Sequence, residues 1–393
     1  AAPGVAYTAL RATAGSAGFV GMEDFFALSL TDVTLQLNGA SDRNDPEATP
    51  DVLDFSAMPD GGLSVQTGGD PITLDYDHAL FRVSADDALL QVSEFIYVRG
   101  AFAFEQGEPV AEILEDDSTR ELDVTTIGFS NAYLFAGVGG PYWTDARIAD
   151  PSLPAGDGVY GLAIGNIAVG MALLRQTGVA NPATYFALKA HADSASWIGF
   201  ADILTLDATD ITVEINRAND PANEILAADF SGMDGGGLTI NLGAGNSTLI
   251  DFDQRLLRVT IDQVNLVVAD FFHVTGTVAL EQTEKTLKLA DGDEVTGNYL
   301  SIGGTGLEVF VGVNGPATSA GATGFSLENV EFALGLFSPD ASEAAYAGYR
   351  WSTVFGTANS MSLVGVSDLE LSATSVELQL NRVSGAPSEA VAN

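Results

Sequence analysis

The side chains in this sequence best suited to chemistry are its carboxylates, and they recur. Asp45, Asp54, Asp75 and Asp77 have counterparts in Asp220, Asp229, Asp251 and Asp253, each about 175 residues further on. Calcium is held by roughly six to eight oxygens from carboxylates and backbone carbonyls. Asp-rich turns between strands could supply them, so these eight residues are the candidate metal ligands and calcium the candidate cofactor. "DYDH" and "DFDQ" place two carboxylates at i and i+2, on one face of an extended chain. "ASDRNDPEATPD" and "RANDPANE" share Asn-Asp-Pro with further acids nearby. Asp and Asn also close turns through neighbouring backbone amides, and that reading needs no metal. Neither the twelve-residue helix–loop–helix calcium pattern nor the nonapeptide calcium repeat is present.

Other chemistry finds little support. The chain has no cysteine, which excludes disulfides, thiolate metal sites and cysteine nucleophiles. Its three histidines, His78, His191 and His273, do not recur: Gln254 answers His78 and Tyr97 answers His273. No G-x-S-x-G elbow is present, and "GMDGGGLT" lacks the Lys-Ser/Thr of a phosphate loop. The expectation is that the protein is not an enzyme. Arg82 and Arg258 each stand four residues before an acid, Asp86 and Asp262, and are expected to pair with them. Trp143, Trp197 and Trp351 are scattered and read as packing residues.

The elements that must position these residues are written twice. Residues 75–106 align with 251–282 at 14 identities in 32 positions without a gap. "DFSAMPDGGLSV" answers "DFSGMDGGGLTI", and "IGFSNAYLFAGVGGP" answers "IGGTGLEVFVGVNGP". The opening motif of residues 7–38 returns at 185–216 and again at 351–381. The domains expected are therefore a first copy over 7–184, a second over 185–350, and the opening strands of a third over 351–393. The one long insertion is residues 142–158, against 317–321 in the second copy, and residues 143–157 read as dispensable for folding.

Within each copy apolar residues alternate over short stretches, as at Leu369, Leu371, Val376, Leu378 and Leu380, and Gly, Asn and Asp punctuate about every 8–12 residues. No helical periodicity stands out. The fold class expected is all-β, an elongated tandem repeat stacked like a β-solenoid, with a row of β-sandwich domains as the alternative.

Among 393 residues, 53 acids face 15 bases, a net charge of −38. Such a chain is repelled by nucleic acid and by anionic membrane surfaces. No apolar run approaches the roughly 20 residues of a membrane helix, so no membrane insertion is expected. The absence of an initiator Met fits a matured exported chain or a piece of a longer one.

The motifs G-x-[FV]-x-[FL]-E-Q (residues 100–106 and 276–282) and [VL]-F-x-G-V-x-G-P (134–141 and 309–316), with the long opening motif, resemble the tandem modules of very large secreted bacterial surface proteins. The resemblance covers nearly the whole chain. It implies an extracellular or cell-surface structural protein, often with calcium, and brings no catalytic residues. The partners expected are copies of itself, head-to-tail, or further repeats in the same polypeptide. The alternative function is an adhesin module gripping a glycan or another cell surface.

Overall fold

The computed structural model of the chain describes residues 4–18, 26–45, 48, 50–114, 118–156, 158–200, 203–219, 226–233, 235–340 and 342–385. The strands are β1 (Val5–Gly18), β2 (Phe26–Asp42), β3 (Leu63–Val65), β4 (Ile72–Leu74), β5 (Leu80–Val92), β6 (Ile96–Gln106), β7 (Val110–Ile113), β8 (Thr119–Val138), β9 (Tyr160–Gln176) and β10 (Thr184–Ile198). They continue as β11 (Leu204–Asn219), β12 (Leu238–Gly243), β13 (Asn246–Ile250), β14 (Leu256–Val268), β15 (Phe272–Lys288), β16 (Glu294–Val313), β17 (Thr323–Pro339), β18 (Arg350–Val364) and β19 (Ser372–Ser384). The one α-helix among the described residues, α1 (Asp145–Ala149), lies in the insertion of residues 142–158.

The all-β expectation holds. The arrangement within it differs from both expected ones. One large antiparallel sheet, not closed into a barrel, runs in the order β1-β2-β5-β6-β8-β9-β10-β11-β14-β15-β16-β17-β18-β19, with β7 beside β8. β12–β13 and β3–β4 form separate two-stranded hairpins. Parallel rungs need a crossover of about a dozen residues or more, whereas short links favour antiparallel neighbours. Here β5 and β6 are joined by residues 93–95 and β14 and β15 by residues 269–271, so the chain meanders instead of coiling. Along this path each of the first two sequence copies contributes six strands, the first adding β7 beside it, and the third contributes β18 and β19.

The repetition extends to irregularities. β5 slips against β6 between Ala85 and Ala88, and β14 slips against β15 between the equivalent Ile261 and Val264. Asp32, Asp210 and Ser375, equivalent in the three copies, all take a left-handed backbone, φ 50°, 50° and 55°. Short polar side chains tolerate that conformation best among L-residues. The recurring acid at Asp32 and Asp210 is thus a backbone device for bending a long strand.

The chain divides into two compact units. One comprises Ala1–Leu134, Asn166–Ala190 and Asn216–Gln254; the other comprises Phe135–Gly165, His191–Ile215 and Arg255–Asn393. The first unit therefore takes its loop region 216–254 from the second sequence copy. That region seats on strands of the first copy. Ser130 Oγ donates to Gly243 O at 3.2 Å, Asn246 Nδ2 donates to Ser130 Oγ at 3.1 Å, and Leu114 bridges Ala228. Ile240, Ile250 and Phe230 are fully buried, Ala101, Ala103, Val124 and Thr126 of β6 and β8 are buried too, and β12 packs against β6. Burying each large apolar side chain contributes about 1.5–3 kcal/mol, so the hairpin is a lid on the core. A smaller cluster, Phe55, Leu74, Tyr76 and Leu80, lies in the same unit against Ala9, Met58 and Ile72.

In the second unit the insertion is anchored. Arg147 is 8% exposed, its guanidinium 4.2 Å above the Tyr142 ring, and Tyr142 stacks on Phe135 at 5.7 Å. Arg147 Nη2 donates to Pro154 O at 2.6 Å and Nη1 to Leu153 O. Arg147→Ala removes a buried cation with its two hydrogen bonds and its stacking on Tyr142, at about 1–3 kcal/mol. Urea unfolding of the variant is expected to lose that much, and deletion of residues 143–157, dispensable on sequence grounds, is expected to lose more.

Candidate functional site

The feature that both copies build from equivalent residues is a buried asparagine at the end of the opening motif. Asn38 Nδ2 donates to Leu53 O at 3.0 Å and to His78 O at 2.8 Å. Asn216 Nδ2 donates to Ala228 O at 2.7 Å and to Gln254 O at 3.0 Å. Asn38 is 3% exposed and Asn216 0%. One side chain thus ties the end of the second strand of a copy to two later segments of that copy. Asn381, the third such residue, is exposed; its Oδ1 accepts from Thr353 Oγ1 at 3.1 Å.

The two segments held by this clamp contain the candidate metal ligands. In "DFS", Asp54 Oδ1 accepts from Ser56 Oγ at 2.7 Å and Ala57 N at 3.0 Å. Asp229 Oδ1 accepts from Ser231 Oγ at 2.6 Å and Gly232 N at 3.3 Å, capping a short 3₁₀ turn. The next residue in each, Phe55 or Phe230, donates its N–H to Tyr76 O or Phe252 O, at 2.7 and 2.8 Å. Tyr76 and Phe252 point into the core, so Asp75 and Asp77, like Asp251 and Asp253, lie on the exposed side. The i, i+2 alternation holds, but on an extended segment after β4 or β13 and outside the ladder. Asp251 takes a hydrogen bond from Lys189 Nζ at 3.1 Å, and Asp77 engages His78 Nδ1. Asp45 accepts the Ala48 N–H through its carbonyl, and Asp220 lies outside the described residues. Among the described residues no group of three or more His, Asp or Glu side chains comes together as a cation site.

Hydrogen bonding from Ser56, then from Ala57, holds the Asp54 carboxyl below its ordinary 3.8. A carboxylate depressed in the folded state contributes stability that is full above the unfolded pKa and lost as pH falls through the folded one. Asp54→Ala is therefore expected to be less stable than the parent at pH 7. The difference narrows below pH about 4, which urea melts at pH 7 and pH 3 would show.

The arginines pair across strands. Arg82 Nε donates to Glu105 at 2.7 Å and Nη1 to Gln36 at 3.3 Å. Arg258 Nε donates to Glu281 at 2.8 Å and Nη1 to Glu214 at 2.9 Å, and these carboxylates, Glu281 first, raise its pKa. The expected Asp86 and Asp262 are not the partners. Residues four apart on a strand share a face but stand about 13 Å apart, too far for an ion pair. The register instead sets Arg82 opposite Glu105 and Arg258 opposite Glu281. Sequence reading missed these partners because they lie 23 residues away. Their signal was that both members recur.

A recess of about 290 Å³ in the first unit brings His78, Glu105 and Glu108 to one rim. Glu105 is held by Arg82, Glu108 accepts the Ala79 N–H at 2.8 Å, and His78 engages Asp77. The site that the geometry offers is thus one of strand registration: donors and carbonyls placed to lock one chain segment beside another.

No family model, curated protein or solved structure matches this chain. The functional reading rests on the molecule's own internal comparison, one copy against the next.

Proposed function

We propose that this chain is a structural section of a repetitive β array, extracellular or on a cell surface, lengthened by further copies of its own 175-residue unit. The carrying observation is the interlock. The loop region 216–254 of the second copy covers strands of the first, so the first copy's core is completed by the second. Repeat arrays owe their stability to such neighbour contacts. The resemblance to secreted surface modules, the lack of cysteine and the −38 charge fit an exported, well-solvated assembly. The recurring polar residues serve caps, clamps and register, which favours a structural role over an adhesive one.

Light scattering and negative-stain microscopy across a concentration series test this. Growth of mass into unbranched, end-to-end assemblies is the expected result. A compact monomer at the highest concentrations, with residues 351–381 dispensable for folding, would overturn it.

A further inference from the structure

β19 ends the sheet. Among the described residues it pairs with β18 alone. Its two equivalents are interior strands: β2 lies between β1 and β5, and β11 between β10 and β14. The motif "DVTLQLN" of β2 and "DITVEIN" of β11 returns in β19 as "SVELQLN", so Gln36, Glu214 and Gln379 are equivalent, as are Asn38, Asn216 and Asn381. On β2 the residue opposite Gln36 is Arg82, whose guanidinium reaches it; on β11 Glu214 takes the guanidinium of Arg258. The clamp carbonyls His78 O and Gln254 O come two residues before β5 and β14 begin. Among the described residues β19 has no second partner strand for this machinery, and Gln379 Nε2 donates to its own strand neighbour Glu377. Leu378 is 61% exposed and Leu380 47%, whereas the equivalent Leu35, Leu37, Val213 and Ile215 are half-buried.

We infer that the outer edge of β19 is an acceptor for a β14-type strand from a further copy of the repeat, registered by Gln379 and Asn381. This rests on the array reading and specifies its growing edge. The register follows from β2 and β5: the incoming arginine lies opposite Gln379, and the leucine two residues before it lies opposite Asn381. A strand edge is recognised through its main chain, with side chains setting the register. A folded second copy offers no such strand, because its β5 and β14 already have neighbours on both sides. Its free β1 is the counterpart of β10 and β18, which lie on the opposite side of β11 and β19. The occupant is therefore a strand that orders as it docks.

The test is hydrogen exchange on the full chain with a synthetic peptide of residues 252–268. Saturating peptide is expected to slow exchange about tenfold or more in β19, on the amides that point away from β18, and nowhere else. Gln379→Glu recreates the partner seen at Glu214 and is expected to tighten binding about fivefold, the size of a partly exposed ion pair. An Arg258→Glu peptide weakens binding by a similar factor and is rescued by Gln379→Arg. Asn381→Ala weakens it too. Gln379 and Asn381 are exposed, so these variants leave the fold intact. Absence of protection at millimolar peptide, protection elsewhere, or protection indifferent to the charge exchange would each overturn the assignment. So would β19 protection that grows with chain concentration and is not displaced by the peptide, which would give the edge to another part of a second copy while leaving the array reading standing. Conversely, peptide docking on a chain that stays monomeric would keep the acceptor edge and remove end-to-end growth.

Discussion

Gly128→Ala is expected to unseat the β12–β13 hairpin, while the equivalent Gly303→Ala is expected to change almost nothing. A methyl at Gly128 would overlap the Asn241 carbonyl oxygen and crowd Leu242 Cα at 2.7 Å. Both are hairpin backbone atoms held from two sides, by Ser130, which donates to Gly243 O and accepts from Asn246, and by the strand pairing of β12 with β13. Backbone cannot rotate away as a flexible side chain does, so the hairpin must shift as a body. Overpacking a tight core costs about 1–3 kcal/mol. The upper end is expected, since any shift also loosens Ile240 and Ile250. At Gly303 the nearest atom a methyl would meet is Phe332 O at 3.5 Å, ordinary contact. Thermal melts of both variants, with hydrogen exchange over residues 238–250, check the pair. Equal losses at both positions would mean that the hairpin does not sit on β8 as described.

This contrast marks how far the sequence could be read. Recurrence at a fixed offset exposed the period, and alternation such as that of Val376, Leu378 and Leu380 exposed the strands. Both are local or directly countable signals. What no local signal carried was which strand lies beside which. Asp86 looked like the partner of Arg82 because it was near in sequence, yet the antiparallel meander sets Glu105 opposite. The candidate ligands Asp54 and Asp229 are recurring acids. Their work is to cap turns, a role legible in the Ser two residues on. The seating of the second copy's hairpin on the first copy's strands was invisible, because "GGLSV" and "GGLTI" differ little. Val65 is 40% exposed and its equivalent Ile240 0%, a difference set by what lies beneath each hairpin.

The clamp asparagines give the sharpest expected difference between identical residues. Asn216→Ala removes a side chain that donates to both Ala228 O and Gln254 O, in a position with no exposure. A buried carbonyl left without a donor costs about 1–3 kcal/mol; Ala228 O is in a buried bond and Gln254 O in a part-buried one, and both lose their donor. A small void is added where the amide was. The expected loss is therefore about 3–5 kcal/mol, large enough to be diagnostic of a broken buried network. Asn38→Ala removes the same pair of bonds at Leu53 O and His78 O and is expected to lose somewhat less, since its surroundings are only partly buried. Asn381→Ala, exposed and with its Oδ1 accepting from Thr353, is expected to lie within about 0.5 kcal/mol of the parent. Denaturant melts of the three single variants decide it. The order Asn216, Asn38, Asn381 follows from how much of each copy's later chain is present for the side chain to hold. A large loss at Asn381 would show that its amide already has buried carbonyls to hold, as Asn38 and Asn216 do, and the vacant acceptor edge inferred for β19 would be withdrawn.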